Sequence, residues 1–123
     1  MHNGAAQVIA GNDMLWTAEC IASNWHNTPS IATLKSSLDR DLNAAPADRI
    51  FILQAVLSPD AGTLISSLAP GTPHSLEDMA RSMAPQLPGW VETDWAHRTR
   101  NVVIVDWFEQ SQFVAACIAA NIE

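Results

Sequence analysis

Tyrosine is absent from the 123-residue chain, and Lys35 is the single lysine among six basic residues set against thirteen acidic ones. The resulting net charge of −7 excludes the basic stripe that nucleic-acid binding requires. It also gives no electrostatic help for docking on an anionic membrane. There are only five glycines, and no Walker loop, GxGxxG or GxSxG occurs. P-loop, dinucleotide and nucleophile-elbow chemistries therefore lack their usual support. No two histidines stand at metal-ligand spacing, and no carboxylate cluster resembles a calcium cage, so neither a metal nor a cofactor is implied. The two cysteines, Cys20 and Cys117, lie far apart and outside any CxxC. Two buried free thiols are the expectation, and they fix no compartment. No apolar run reaches the length of a membrane span, and the start MHNGAAQVIAGND lacks the basic opening and apolar core of a secretory signal, so nothing targets the chain as written.

What remains is a chain with 48% hydrophobic and 15% charged residues, which fits one globular domain with a core. Three short runs rich in Val and Ile stand out: QVIAG (7–11), RIFILQAVL (49–57) and NVVIVD (101–106). The second and third are nearly continuous, as strands buried on both faces of a parallel sheet are. Helical spacing follows them. Ile31, Leu34, Leu38 and Leu42 share one face, with Thr28 as N-cap and Pro29 as first helical residue. Ser75 and Asp78 approximate a capping box ahead of Leu76, Met79, Ala80 and Met83. Phe113, Ala116, Cys117 and Ala120 form a last stripe, flanked by Val114 and Ile118. The segments SPDAG, APGTP and APQLPGW read as loops.

Strands alternating with helices imply an α/β fold with parallel pairing. Three strands are too few for a closed (β/α)8 barrel and thin for a doubly wound sheet, and they leave open edges that invite partners. In any parallel α/β fold ligands gather at the carboxyl ends of strands. Asn12 and Asp13, Gln54 to Asp60, and Asp106 with Glu109 fall there. An acid directly after the apolar run 102–105 either caps the next helix or holds a partner in a site. His2 lies in the terminal segment, His26 at the mouth of a helix, His74 just before a cap and His97 in the basic patch AHRTR. Surface or capping roles are the expectation for each. Of five tryptophans, Trp25 and Trp107 sit near strand ends and are candidates for lining a pocket, and the others are expected to anchor packing.

The stretches AAQVIAGNDMLW, SNWHNTPSIATLKSSL, FILQAVLSPDAGTL and NVVIVDWFEQSQFVAACIAAN, in that order, resemble the last three β/α units of phosphatidylinositol-specific phospholipase C-like phosphodiesterases of the simple X-domain type. A Trp-x-Asn-Thr run opening a helix, a Leu-Gln followed by Ser-Pro, and an apolar strand ending in Asp-aromatic carry the resemblance from about residue 6 to 121. It implies a single domain, 1–123, forming the C-terminal portion of a TIM-type barrel that cleaves phosphodiesters, phosphoinositides among them, by general acid–base catalysis. Two histidines do the work in the family, and an aspartate ending the last strand orients one of them. Asp106 matches that aspartate, Gln54 matches a position on the penultimate strand, and Trp25 and Trp107 fall where substrate is contacted. The two histidine-bearing strands belong to the first half of such barrels, and this sequence does not contain that half. The resemblance therefore implies an inactive chain when isolated. The alternative is a non-enzymatic partial barrel serving as an interaction or assembly module, its open edges covered by a second copy or another protein.

Overall fold

The computed structural model describes residues 18–66, 68, 73–98 and 102–122. A turn of 3-10 helix, Ala18–Cys20, leads into β1 (Ile21–Asn24). Helix α1 (Ile31–Asn43), β2 (Ile50–Ala55), α2 (Ala61–Ser66) and α3 (Leu76–Met83) follow. Helical structure continues from α3 through a 3-10 turn (Ala84–Gln86), α4 (Leu87–Gly89) and a π-helical turn (Trp90–Asp94). The last elements are β3 (Val102–Val105), a 3-10 turn (Phe108–Gln110) and α5 (Phe113–Ala119). The strands form one parallel sheet in the order β1-β2-β3, so the α/β class with parallel pairing is observed.

The expected strand at 7–11 lies outside the described residues. The strand that does flank β2 on the β1 side, Ile21–Asn24, has one β-branched residue and is mostly exposed, which is how a short edge strand escapes an apolar pattern. Of the segments expected as loops, SPDAG is irregular over 58–60 and helical from Ala61, and APQLPGW is helical throughout. Asp60 caps α2 by accepting from the Thr63 amide (2.7 Å) and hydroxyl (2.8 Å). Pro85 and Pro88 sit in the first turns of the short helices after α3, where a missing N–H leaves no bond unmade. Thr28 is not the cap of α1. Ser30 is, accepting from the Thr33 amide, and the Thr28 hydroxyl accepts instead from the Ser30 amide. Ser75 caps α3 as expected, although Leu76, in its first turn, is half-exposed and not on the buried face. Neither cysteine is buried as expected: Cys20 is exposed and Cys117 is half-buried.

In strands alternate residues face opposite sides. The sheet residues belonging to the core are Ala22, Phe51, Leu53, Ala55, Val103 and Val105, all on one face by the observed register. Leu34, Leu38 and Leu42 of α1, Met79 and Met83 of α3, the 87–95 segment, and Phe113 with Ala116 of α5 complete that core. The helices that contribute to this core, α1, α3, the 87–95 segment and α5, therefore cover this one face. The opposite face carries Ile21, Ile50, Ile52, Val102 and Ile104, and Ile21, Val102 and Ile104 are each about 41–42% exposed.

Lys35 joins α1 to the helical segment after α3. Its ammonium lies 2.7 Å from Asp39 and 3.0 Å from Asp94 and sits over the rings of Trp90 and Trp95, 5.7 and 5.8 Å from their centroids. The Trp95 indole donates to Asp39 at 2.8 Å. Burial disfavours both charges, but the bonds to Asp39 and Asp94 outweigh it and raise the Lys35 pKa. For Asp39, burial is likewise outweighed by the bonds from Lys35 and Trp95 and by the Lys35 and Arg98 charges, so its carboxyl is held below the usual range. Stability from Asp39 is complete above the ordinary aspartate pKa of about 3.9 and is lost as pH falls through the lowered native value. At this partly solvated site the contribution is about 1 kcal/mol or less. Urea midpoints at pH 6 and pH 3 should accordingly fall less in Lys35→Met than in the unsubstituted chain.

Candidate functional site

The carboxyl ends of the three strands bring together the residues singled out in the sequence, without joining them to one another. Trp25 follows β1 directly and is 56% exposed. Gln54, on β2, points away from the helical core, between Ser23 on β1 and Ile104 on β3. Its amide donates to the Ser23 hydroxyl at 2.7 Å. A side chain on the neighbouring strand therefore engages it. Asp106 comes one residue after Val105, and strand alternation assigns it the same open face as Val102 and Ile104. Two residues along the strand and one strand across separate it from Gln54, about 8 Å by ordinary sheet spacings.

The cap reading of Asp106 does not hold. The helix it would cap begins at Phe113, with Gln112 in the cap position, and the intervening 3-10 turn has Trp107 as its cap residue and no side-chain cap bond. Among the described residues Asp106 makes no hydrogen bond or ion pair. A carboxylate at a strand end that serves no neighbour is free to receive a donor from outside the described elements.

Trp107 is in the left-handed region, with φ 46° and ψ 52°. For a residue with a Cβ that conformation crowds the following carbonyl, and for a bulky side chain it is a genuine outlier, at about 1–3 kcal/mol. It turns the chain sharply after Asp106 and leaves the Trp107 ring 36% exposed at the rim.

The remaining polar residues near these ends are engaged otherwise. Asp60 is the α2 cap, and the Thr63 amide and hydroxyl hold its carboxyl below the usual range. His26 Nε2 is 2.6 Å from Asp41 Oδ2 on α1, and the His74 amide donates to Asp78. His97 lies before β3, at the opposite end of the sheet. Asn12 and Asp13 lie outside the described residues, as do His2 and Trp16. Among the described residues no group of three or more His, Cys, Asp or Glu is arranged to hold a metal ion, and no helix is long and apolar enough to cross a membrane. Sequence reasoning missed the Ser23 bond to Gln54. The Ser58 hydroxyl, within the Gln54 to Asp60 stretch singled out in the sequence, is buried just beyond β2 and has no hydrogen-bond partner among the described residues. The Ser-Pro pair after Leu57 was its signal in the sequence.

The chain is similar to PI-PLC X domain-containing proteins. PI-PLC X domain-containing protein 3 of Homo sapiens is 28% identical over 113 residues, covering 87% of this chain and 33% of that protein. The Mus musculus and Danio rerio proteins of the same name are 27% and 26% identical over the same length. The chain thus spans about a third of the length of the curated relatives it matches. No family model matches, and no solved structure does. The similarity is distant, extends over most of the chain, and supports a phospholipase C-like family, the one the X-domain motifs resemble.

Proposed function

We propose that the chain is the C-terminal portion of a phospholipase C-like phosphodiesterase barrel, in which Asp106 orients a general-base histidine supplied by strands outside it. The observation that carries this reading is the position of Asp106, at the end of an apolar strand, on the open sheet face and capping nothing. A base that removes a proton from the attacking hydroxyl (the 2-hydroxyl of an inositol lipid) must hold the correct tautomer, and a carboxylate accepting its other N–H fixes it. Helices on one face and aliphatic side chains on the other suit a section of barrel wall, because a doubly wound sheet carries helices on both faces. Trp25, Gln54 and Trp107 would meet a phosphodiester substrate, with phosphoinositides as the candidate class.

The isolated chain should hydrolyse neither phosphatidylinositol nor an aryl phosphodiester above background, since an orienting acid transfers no proton from substrate by itself. Turnover by the chain alone overturns this. The transcript's 5′ end supplies the second arm. An in-frame apolar strand ending in His supports the reading, and Asp106→Asn in that longer product should then lower kcat by about 10³–10⁴-fold. The same substitution in the 123-residue chain should leave stability within about 0.5 kcal/mol, as expected for a residue that caps nothing. The aliphatic face itself favours a second reading, a non-enzymatic assembly module whose face is covered by another copy. A discrete folded oligomer in sedimentation would support that reading over the first.

A further inference from the structure

The turn that carries Asp106 and Trp107 is anchored from outside. Gln110, the last residue of the 3-10 turn, accepts from Arg81 Nε at 2.9 Å and donates to Glu77 at 2.8 Å. Arg81 closes the triangle with a 2.7 Å bond to Glu77. Both partners belong to α3, 29 and 33 residues away in sequence. The Gln110 amide also donates to the Trp107 carbonyl at 3.0 Å. On the other side of the turn Val105 is fixed in the sheet ladder against Ala55. Four residues, 106 to 109, thus span two fixed points, and the left-handed residue is among them. A bulky residue stays in that region only where its surroundings over-determine it. We infer that Glu77, Arg81 and Gln110 act as a clamp that holds Trp107 left-handed and so positions the Asp106 carboxylate and the Trp107 ring at the end of the sheet.

The clamp makes Gln110 a positioning residue. The use made of Asp106 rests on the proposed function, whereas the clamp itself does not. The alternative is a turn closed by its local amide bond alone, with the side-chain triangle incidental to it. The sign of the Gly–Ala difference at position 107 separates the two. Glycine tolerates a positive φ and alanine does not, while elsewhere alanine is the more stable.

The experiment compares thermal midpoints of Trp107→Gly and Trp107→Ala, each in the otherwise unsubstituted chain and in Gln110→Met, which keeps length and loses both bonds. With the clamp intact the glycine variant should melt several degrees above the alanine variant. In Gln110→Met the difference should vanish or reverse, and the φ-dependent amide–Hα coupling of Trp107 in the single Gln110→Met variant should leave its left-handed value. Glycine ahead of alanine by the same margin in both backgrounds overturns the inference, as does alanine ahead in the intact one or an unchanged Trp107 coupling. If Gln110→Met does not fold, Arg81→Met, at an exposed side chain, carries the same comparison. None of these readouts involves hydrolysis, so failure of the clamp and failure of the phosphodiesterase reading are distinguishable.

Discussion

Trp95→Ala should cost about 3–5 kcal/mol, the usual range for removing a large buried aromatic, and lower the thermal midpoint by roughly 10–20 °C. The indole is fully buried, packs at 5.7 Å against Trp90, and donates to Asp39. It occupies that place because the Trp95 amide bonds to the Trp90 carbonyl at 2.8 Å, a five-residue closure that sets both rings toward the core. Removing it opens a cavity between α1 and the helical segment after α3, and takes a donor from a carboxylate that burial already disfavours. Trp95→Phe keeps most of the volume and loses the donor, so its cost should be about 1–2 kcal/mol. Urea denaturation of both variants checks the order. A Phe variant as damaged as the Ala variant would mean that the bond to Asp39, and not the packing, holds the helices together.

Leu53→Ala and Ile104→Ala test which face of the sheet is the core. The two residues lie on adjacent strands, one register position apart, and have nearly the same apolar volume. Leu53 is 1% exposed and meets the helices, whereas Ile104 is 42% exposed on the open face. The first should lose about 2–5 kcal/mol and the second about 1 kcal/mol or less. Equal losses in the isolated chain would mean that something covers the open face in solution, and sedimentation of the same samples would identify a second copy as the cover.

Apolar runs made β2 and β3 legible in the sequence to within two residues at either end, but the burial on both faces expected from those continuous runs is not observed: β3 ends the described sheet and its Val102 and Ile104 lie on the exposed face. The spacing of Leu34, Leu38 and Leu42 likewise revealed α1 and its buried face. β1 was illegible: Ile21–Asn24 is an exposed edge, and backbone pairing with β2 defines it with little help from side chains. Proline misled in APQLPGW, where it starts helices and does not break them. At the candidate site the type of residue was readable, but its partners were not. Asp106 is a favoured cap residue in the abstract, and only the interposed 3-10 turn, which moves the helix start to Phe113, removes that role. The left-handed turn had no glycine to announce it. The contact of Gln110 with Arg81 and Glu77 depends on how α3 packs, which no local pattern encodes.

The position of Lys35 has a consequence for chemical probing. The chain's sole ε-amine is bonded to two carboxylates and overlain by two indoles, with its side chain 19% exposed. An acylating reagent needs that nitrogen deprotonated and unhindered, and both conditions arise only when α1 parts from the segment bearing Trp90 and Trp95. Its rate of acylation, read on the peptide that carries Lys35 and so apart from the more reactive α-amine, is therefore a clock for the opening of the helical layer that needs no engineered label.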